Sequence, residues 1–325
     1  MPLATVGGQT IAYETSGTDG DPILFVHGWA CNKEMWRSTV DQLKHLGRCY
    51  SIDLLGHGDS SKPDPHGNGY AIENQAKAVE LFIREVIGQP TRYVGHSMGG
   101  MIGLHLAYHH PELITRMALL APAVTGKLIG FLAGYLRLLA LPGGDRAFDA
   151  LFQWTRSKVS NLDWFCRIAY FNDRSVLDRA VTESSYPGFR KTTSAILARM
   201  LYEIRSTDLS PILEHITTPT LIIHGREDNV VPVTDGLLAV SKMVNASIVE
   251  LDGINHVADL EGRDRCWAPL RAFFTPPHAE TEQSESTAQE LVPAQKPEKP
   301  EKSEQILSNF TQRITNKTYP QHDTV

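Results

Sequence analysis

The 325-residue sequence predicts an α/β fold with a mostly parallel sheet and helices on both of its faces. Short apolar runs, typical of buried strands, alternate with amphipathic helical patterns over the first 120 residues and again after residue 213. One strand leads directly into the glycine-rich turn Gly95-His96-Ser97-Met98-Gly99, and a helical pattern follows it. From about residue 123 to residue 213 the alternation stops, and only helical pieces are predicted.

The elements are predicted in order from these local patterns. Gly7-Gly8 between two short runs suits a primed turn and predicts an antiparallel hairpin of residues 3–6 and 9–14. Apolar residues recur at helical spacing from Ile72 to Val86, which predicts a helix over 72–87 with one buried face. The remaining predicted strands are 23–26, 49–53, the run before Ser97, 114–120, 221–224 and 246–251, and the remaining helices of the sheet region are 33–46, 98–109, 234–242 and 263–274.

Three parts of the chain are expected from this organisation. Residues 1–123 and 213–275 form the α/β core, and residues 124–212 form a helical cap over the carboxyl edge of the sheet, where such sheets bind ligands. Residues 276–325 are rich in Pro, Glu, Lys and Ser and cannot bury enough apolar surface to fold, so we expect a disordered C-terminal tail. The sequence names no partner for this tail.

Residues 128–141 are the most apolar stretch of the cap, with Arg137 as their only charge. The stretch is too short to span a bilayer. We expect a cap helix packed on the core. The alternative is a helix that lines an apolar acyl pocket or makes a peripheral lipid contact.

Composition excludes several classes of function. The net charge of −6, from 31 Lys and Arg against 37 Asp and Glu, offers no basic surface for nucleic acid. The four cysteines lie far apart without a Cys-x-x-Cys pair, which argues against a zinc site and against a disulfide framework. This usage is compatible with a reducing compartment, and the N-terminus lacks the build of a signal peptide. We therefore expect a cytoplasmic protein with no metal and no transmembrane segment.

The turn around Ser97 has the strand–turn–helix context in which a serine becomes a nucleophile. Crowding at such a turn demands small residues on both sides of the serine, and Gly95 and Gly99 supply them. A serine hydroxyl is a weak nucleophile until a base takes its proton and a third group orients that base. Ser97 therefore predicts an acid and a histidine after later strands.

The sequence contains an acid and a histidine after later strands, as a serine nucleophile requires. Asp228 lies in the turn after strand 221–224, and His256 lies in the loop after strand 246–251. Glu227 is the rival for the acid, since a shift of one residue in register would exchange the two carboxylates. The order of serine, aspartate and histidine after successive strands predicts a catalytic triad.

The oxyanion of the reaction also needs hydrogen-bond donors. One should be the backbone N–H of Met98, which follows the nucleophile, and the other the backbone N–H of Trp29, in the loop after strand 23–26. Gly28 allows this loop to turn inward. His27 is expected to hydrogen-bond within the loop and to have no role in proton transfer.

The sequence resembles the α/β-hydrolase superfamily, in its serine-nucleophile branch with a helical cap. The resemblance covers about residues 3–274 and implies an eight-stranded, mostly parallel sheet, a cap after strand six, no cofactor, and a triad of Ser97, His256 and Asp228. It also implies that the loop 53–60 faces the site in a structural role. The motifs that carry it are Phe25-Val26-His27-Gly28-Trp29, Asp53-Leu54-Leu55-Gly56-His57-Gly58-Asp59-Ser60, Gly95-His96-Ser97-Met98-Gly99-Gly100, Gly225-Arg226-Glu227-Asp228 and Asn255-His256.

Three functions from different classes remain open at this point. The first is a carboxylesterase-like serine hydrolase that cleaves a small or medium apolar ester through an acyl-enzyme intermediate. The second is a carbon–carbon bond hydrolase or lyase that uses the same triad. The third is a non-catalytic binding protein of this fold with the tail as its interaction element, and the intact triad argues against it. Relatives that open epoxides or remove halides carry aspartate where this chain has Ser97.

Overall fold

The sheet of the computed structural model has eight strands, and the structure describes residues 2–17 and 19–275. Their spatial order is β1-β2-β4-β3-β5-β6-β7-β8. The pairs β1–β2 and β2–β4 are antiparallel and the other pairs are parallel, which confirms the predicted sheet. The strands are β1 Leu3–Val6, β2 Gln9–Gly17, β3 Ile23–Val26, β4 Arg48–Ile52, β5 Thr91–His96, β6 Ile114–Leu120, β7 Thr220–Gly225 and β8 Ala246–Leu251.

Helices cover both faces of this sheet. Along β3, Leu24 and Val26 join one apolar cluster while Ile23 and Phe25 join another. Because both faces of the strand are buried, its sequence is a continuous apolar run rather than an alternating one. The helices of the sheet region are α1 Arg37–Leu43, α2 Ile72–Phe82, α3 Met98–His109, α9 Val233–Lys242, α10 Ala258–Glu261 and α11 Asp264–Phe274.

One helix ends earlier than predicted, and another ends as predicted but changes its type of turn. The helix expected at 33–46 is a 3-10 turn, Lys33–Trp36, followed by α1, and the chain then turns at Gly47, where a Cβ would lie 2.2 Å from the carbonyl oxygen of Asp21. The helix expected at 72–87 continues after α2 as a single π-helical turn, Ile83–Ile87. Gly88, at φ 76°, closes that turn in the left-handed region.

The region between β6 and β7 is helical, as the sequence predicts. α4 packs through edge-to-face aromatic contacts: the ring of Phe131 lies 5.5 Å from that of Phe165 and 5.4 Å from that of Tyr170. Of the described helices, none has the length and apolar character needed to cross a bilayer. The helices of this region are α4 Gly130–Leu139, α5 Gly144–Ser157, α6 Val159–Tyr170, α7 Arg179–Phe189 and α8 Ser194–Ser206. The predicted tail, residues 276–325, lies outside the described residues.

Candidate active site

Ser97 lies in a strained turn between β5 and α3. Its φ and ψ angles are 52° and −110°, a conformation that costs about 1–3 kcal/mol for a residue with a side chain. The turn passes close to β3, since a Cβ on Gly99 would lie 2.2 Å from the carbonyl oxygen of Val26. The Ser97 N–H donates to the carbonyl of Leu120 (2.9 Å), which fixes the turn to the end of β6. Such strain is concentrated at functional sites.

Asp228 is a buried carboxylate in the turn after β7. Its Oδ1 accepts hydrogen bonds from the N–H groups of Val230 (2.8 Å) and Val231 (2.9 Å), and its Oδ2 lies 2.8 Å from Nδ1 of His256. Burial alone would raise the pKa of Asp228, but the charge of His256 and the hydrogen bonds of His224 and His256 lower it well below its usual value. The carboxylate is therefore ionised at neutral pH.

An ionised carboxylate only accepts hydrogen bonds, so it selects the tautomer of its histidine partner. His256 must carry its proton on Nδ1 to donate to Asp228, which leaves the lone pair on Nε2 available to accept a proton. The pair has the chemistry of an oriented general base. Glu227 is exposed and accepts the N–H of Gly253 (2.7 Å), so of the two candidate acids Asp228 is the one that contacts His256.

The imidazole of His256 contacts aromatic rings from two elements. The ring of His96, next to Ser97 in the turn, has its centre 4.7 Å from that of His256, and its Nε2 donates to the His256 carbonyl (3.1 Å). The ring of Tyr170, at the end of α6, stacks at 6.1 Å. Within residues 2–17 and 19–275 Ser97 Oγ makes no hydrogen bond to His256; in unliganded hydrolases this bond is often long and tightens when substrate binds.

The two predicted oxyanion donors lie on segments that pass beside Ser97. Met98 is the first residue of α3, and the N–H groups of a first helical turn have no acceptor within the helix. A Cβ on Gly28 would lie 3.1 Å from Cβ of Ser97, so the loop that carries Trp29 runs next to the nucleophile. The indole Nε1 of Trp29 donates to the carbonyl of Leu197 in α8 (2.9 Å), which anchors this loop from the side of the helical region.

His27 and the loop 53–60 form hydrogen bonds that hold the loops next to the site in place. The Leu54 N–H donates to Nε2 of His27 (3.0 Å), so Nδ1 carries the proton and donates to the carbonyl of Gly28 (2.8 Å). Burial lowers the pKa of His27 to about 4, and the ring is neutral at pH 7. Asp53 accepts hydrogen bonds from both the N–H and Nζ of Lys33, at 2.8 and 3.0 Å. These contacts agree with the structural roles expected for both.

Glu261 is a residue that the sequence reasoning missed. Its side chain is buried, and its Oε1 accepts hydrogen bonds from the N–H groups of Asn172 (2.7 Å) and Asp173 (2.8 Å), just after α6. Its Oε2 accepts the N–H of Asn255 (2.6 Å), which directly precedes the histidine. All three donors are backbone groups, and those of Asn172 and Asp173 are 89 and 88 residues away in sequence, so no side-chain pattern marks them. Glu261 thus joins the loop of His256 to the helical region.

Two apolar cavities lie between the Trp29 loop and the helical region. The larger, of about 80 Å³, is lined by Cys31 and Val257 beside the site and by Leu162 and Tyr170 of α6. The smaller adjoins Trp29 and is lined by side chains of α4, α5 and α8, and Ala30, Phe165 and Phe189 line both cavities. No group of three His, Cys, Asp or Glu side chains that could hold a metal ion occurs in the described part of the chain.

Comparisons with known proteins agree with this architecture. A family model described as alpha/beta hydrolase fold matches residues 21–256. The pimeloyl-[acyl-carrier protein] methyl ester esterase of Vibrio cholerae is 27% identical over 227 residues, which cover 69% of this chain and 82% of the esterase. A monoacylglycerol lipase of Xenopus laevis is 25% identical over 281 residues, covering 84% of this chain and 81% of the lipase.

Solved structures show the same fold. A meta-cleavage product hydrolase from Pseudomonas fluorescens superposes with a TM-score of 0.67 at 21% identity, covering 84% of this chain and 97% of the hydrolase. At this level of identity the likeness is one of fold and leaves the substrate open.

Proposed function

Since the chain belongs to the α/β-hydrolase fold family, we propose that it is a serine hydrolase that cleaves a carboxylic ester through an acyl-enzyme intermediate. The observation that carries the proposal is the buried Asp228–His256 pair, 2.8 Å apart, beside the strained turn of Ser97. The esterase and lipase names among the relatives support an enzyme that hydrolyses ester bonds.

In the proposed reaction His256 Nε2 takes the proton of Ser97 as Ser97 Oγ attacks the ester carbonyl carbon. The backbone N–H groups of Trp29 and Met98 stabilise the oxyanion that forms. His256 then protonates the leaving alcohol, and a serine ester of the acyl group remains. Water, deprotonated by the same imidazole, attacks this ester and releases the carboxylic acid and Ser97.

Asp228 does not transfer a proton in this scheme. Its carboxylate holds the Nδ1–H tautomer of His256 and stabilises the imidazolium that forms when Ser97 attacks. The two N–H groups of Val230 and Val231 keep that carboxylate fixed in position. The interactions of Asp228 with His256 and His224 lower the pKa of this carboxyl group and keep it ionised.

A small or medium apolar ester is the substrate that the surroundings of the site favour. One cavity is lined by Trp29 and the other by Val257, which follows His256 in the chain, and the walls of both are almost wholly apolar and aromatic. Such walls favour the transfer of an aliphatic or aromatic group from water and offer little to a charged one. A location in the cytoplasm stays a prediction that rests on cysteine usage.

Labelling with a fluorophosphonate probe and turnover of nitrophenyl esters of increasing acyl length test this proposal together. We expect the probe to label Ser97, the Ser97→Ala variant to lose both labelling and turnover, and turnover to be highest for short and medium chains. Labelling of Ser97 without turnover of any ester would point to the carbon–carbon hydrolase or lyase. Absence of labelling in a folded protein would remove every triad mechanism and favour a binding protein.

A further inference from the structure

Four large apolar side chains are exposed on neighbouring helices of the region 124–212. Leu151 and Trp154 of α5 are 36% and 44% exposed, and Trp164 and Ile168 of α6 are 54% and 38% exposed. We call these four residues the Trp patch. Single exposed apolar residues are common on protein surfaces, but a contiguous group marks an interaction site.

The patch is continuous because of helical spacing and one aromatic contact. Leu151 and Trp154 are three residues apart on α5, and Trp164 and Ile168 are four residues apart on α6, so each pair lies on one helix face. The two indole rings meet edge to face with their centres 5.4 Å apart. This contact joins the two faces into one surface.

The helical region that carries the patch has a net positive charge although the protein as a whole is acidic. Residues 124–212 carry twelve Lys and Arg against eight Asp and Glu, a net charge of +4. Residues 1–123 and 213–275 carry fourteen against twenty-one, a net charge of −7. Arg146, eight residues before Trp154 on α5, and Lys158, four residues after it, are both exposed. Asp163, the acid next to Trp164, pairs with Arg167 at 2.8 Å.

We propose that the Trp patch docks on an anionic lipid surface. Tryptophan has an apolar ring and a polar N–H, and it concentrates at the boundary between lipid and water. Basic residues beside it are attracted to anionic headgroups. A second copy of this chain is a less favourable partner for the Trp patch, because dimerisation through the patch would place two positively charged regions against each other.

Docking in this way would bring the cavities of the candidate site close to the lipid. Leu151 of the patch itself lines the smaller cavity, and α5 and α6 also carry the cavity-lining Phe148 and Leu162. An apolar ester dissolved in the membrane would then have a short path to Ser97. Only this consequence rests on the proposed function; the docking itself does not.

Sedimentation of the full-length protein with lipid vesicles tests the proposal. We expect binding to vesicles of phosphatidylcholine mixed with phosphatidylglycerol, weaker binding to phosphatidylcholine alone, and loss of binding as salt is raised. Trp154→Ser combined with Trp164→Ser should reduce the binding about tenfold or more. The control is Tyr202→Ser in α8, which removes an aromatic side chain 63% exposed outside the patch and should bind like the wild type.

A second variant keeps the proposal testable if the double tryptophan variant fails to fold. Arg146→Glu combined with Lys158→Glu changes only exposed charges and should abolish the preference for anionic vesicles while thermal unfolding is unchanged. Equal binding to both kinds of vesicle, or full binding by the double tryptophan variant, overturns the proposal. So does a dimer without vesicle binding that the same tryptophan substitutions dissociate. Ser97→Ala should bind vesicles like the wild type, so failure of docking and failure of the hydrolase proposal are separable.

Discussion

The loops of the sheet and the helices of the predicted cap are held in place by different forces. Asp228 is fixed by two backbone N–H groups and the imidazole of His256, at 2.8–2.9 Å, and Nε2 of His224 lies 3.3 Å from its Oδ2. In the cap, by contrast, aromatic rings such as those of Tyr135 and Phe148 meet at 5.3 Å. Hydrogen bonds fix an atom to a few tenths of an ångström, whereas apolar packing tolerates changes of shape. Under the proposed function, the hydrogen-bonded loops of the sheet hold the reacting atoms, and the apolar helical region accommodates the substrate.

The two regions are joined by a small number of polar contacts at loop ends. Asp235 of α9 accepts the N–H groups of Val124 (2.8 Å) and Thr125 (2.9 Å), where the chain leaves the core. Glu261 accepts three backbone N–H groups from both sides. We call these contacts between the two regions joints. The joints at Asp235 and Glu261 are buried and fix the two regions relative to each other. A third joint, the ion pair Asp59–Lys191, is exposed.

The largest effect should come from the core alone. Asp228→Asn keeps the oxygen that accepts from Val230 and Val231 but offers an amide to His256, which favours the wrong imidazole tautomer. We expect kcat for a nitrophenyl ester to fall about 10⁴-fold, with little change in thermal stability. The neighbouring Glu227→Gln is the matched control and should keep kcat within about twofold. If Glu227→Gln lost this activity and Asp228→Asn kept it, the triad acid would be Glu227.

Acid should weaken the core through its buried histidines. Burial lowers the pKa of His27 to about 4 and the pKa of His96 to about 3, against an unfolded value of about 6.5. Between these values the unfolded chain binds more protons, so the free energy of unfolding falls as pH falls. His27 alone accounts for about 3 kcal/mol from pH 6.5 down to 4, because one proton is worth about 1.4 kcal/mol per pH unit.

Urea unfolding of wild type and His27→Gln at several pH values measures this contribution. Glutamine can accept from the Leu54 N–H and donate to the Gly28 carbonyl, so it keeps both hydrogen bonds without a group that titrates. We expect a shallower loss of stability below pH 6.5 in the variant. Parallel curves for the two proteins would mean that His27 does not titrate on unfolding.

A smaller effect should follow from a change at the buried joint. Glu261→Gln replaces one acceptor oxygen by an NH₂ group, so at least one of the N–H groups of Asn172, Asp173 and Asn255 faces a donor. We expect a loss of about 1–3 kcal/mol in the free energy of unfolding. kcat should fall by about tenfold, because the loop of His256 loses its support. Unchanged kcat with lowered stability would mean that the joint holds the cap without positioning the histidine.

The sequence predicts the core better than it predicts the joints. β3, β6 and β8 run as expected because continuous apolar stretches bounded by turns reveal buried strands. The order of Ser97, Asp228 and His256 follows because each side chain ends or follows a strand. The end of α1 at Leu43 was missed, since close packing at Gly47 decides it, and the sequence did not reveal that the helix predicted at 72–87 finishes in a π-helical turn.

The buried contacts between the two regions could not be predicted from the sequence because most of their hydrogen-bond partners are backbone groups. The bond from Trp29 to the carbonyl of Leu197 spans 168 residues, and any residue at position 197 could supply that oxygen. The same holds for the N–H groups that Glu261 accepts. Only the packing of α6 and α8 against the loops of the sheet brings such groups together, and this packing follows from the fold as a whole.

The smallest effect should come from the exposed joint. Lys191, 49% exposed, pairs with Asp59, 26% exposed, between the α7–α8 connection and the loop 53–60. Water and salt screen such a pair, and a long side chain loses freedom in forming it, so Lys191→Ala should change the free energy of unfolding by less than about 0.5 kcal/mol. Urea unfolding beside Glu261→Gln gives the comparison under one set of conditions. A loss from Lys191→Ala as large as that from Glu261→Gln would mean that surface charge, and not buried hydrogen bonding, holds the cap to the core.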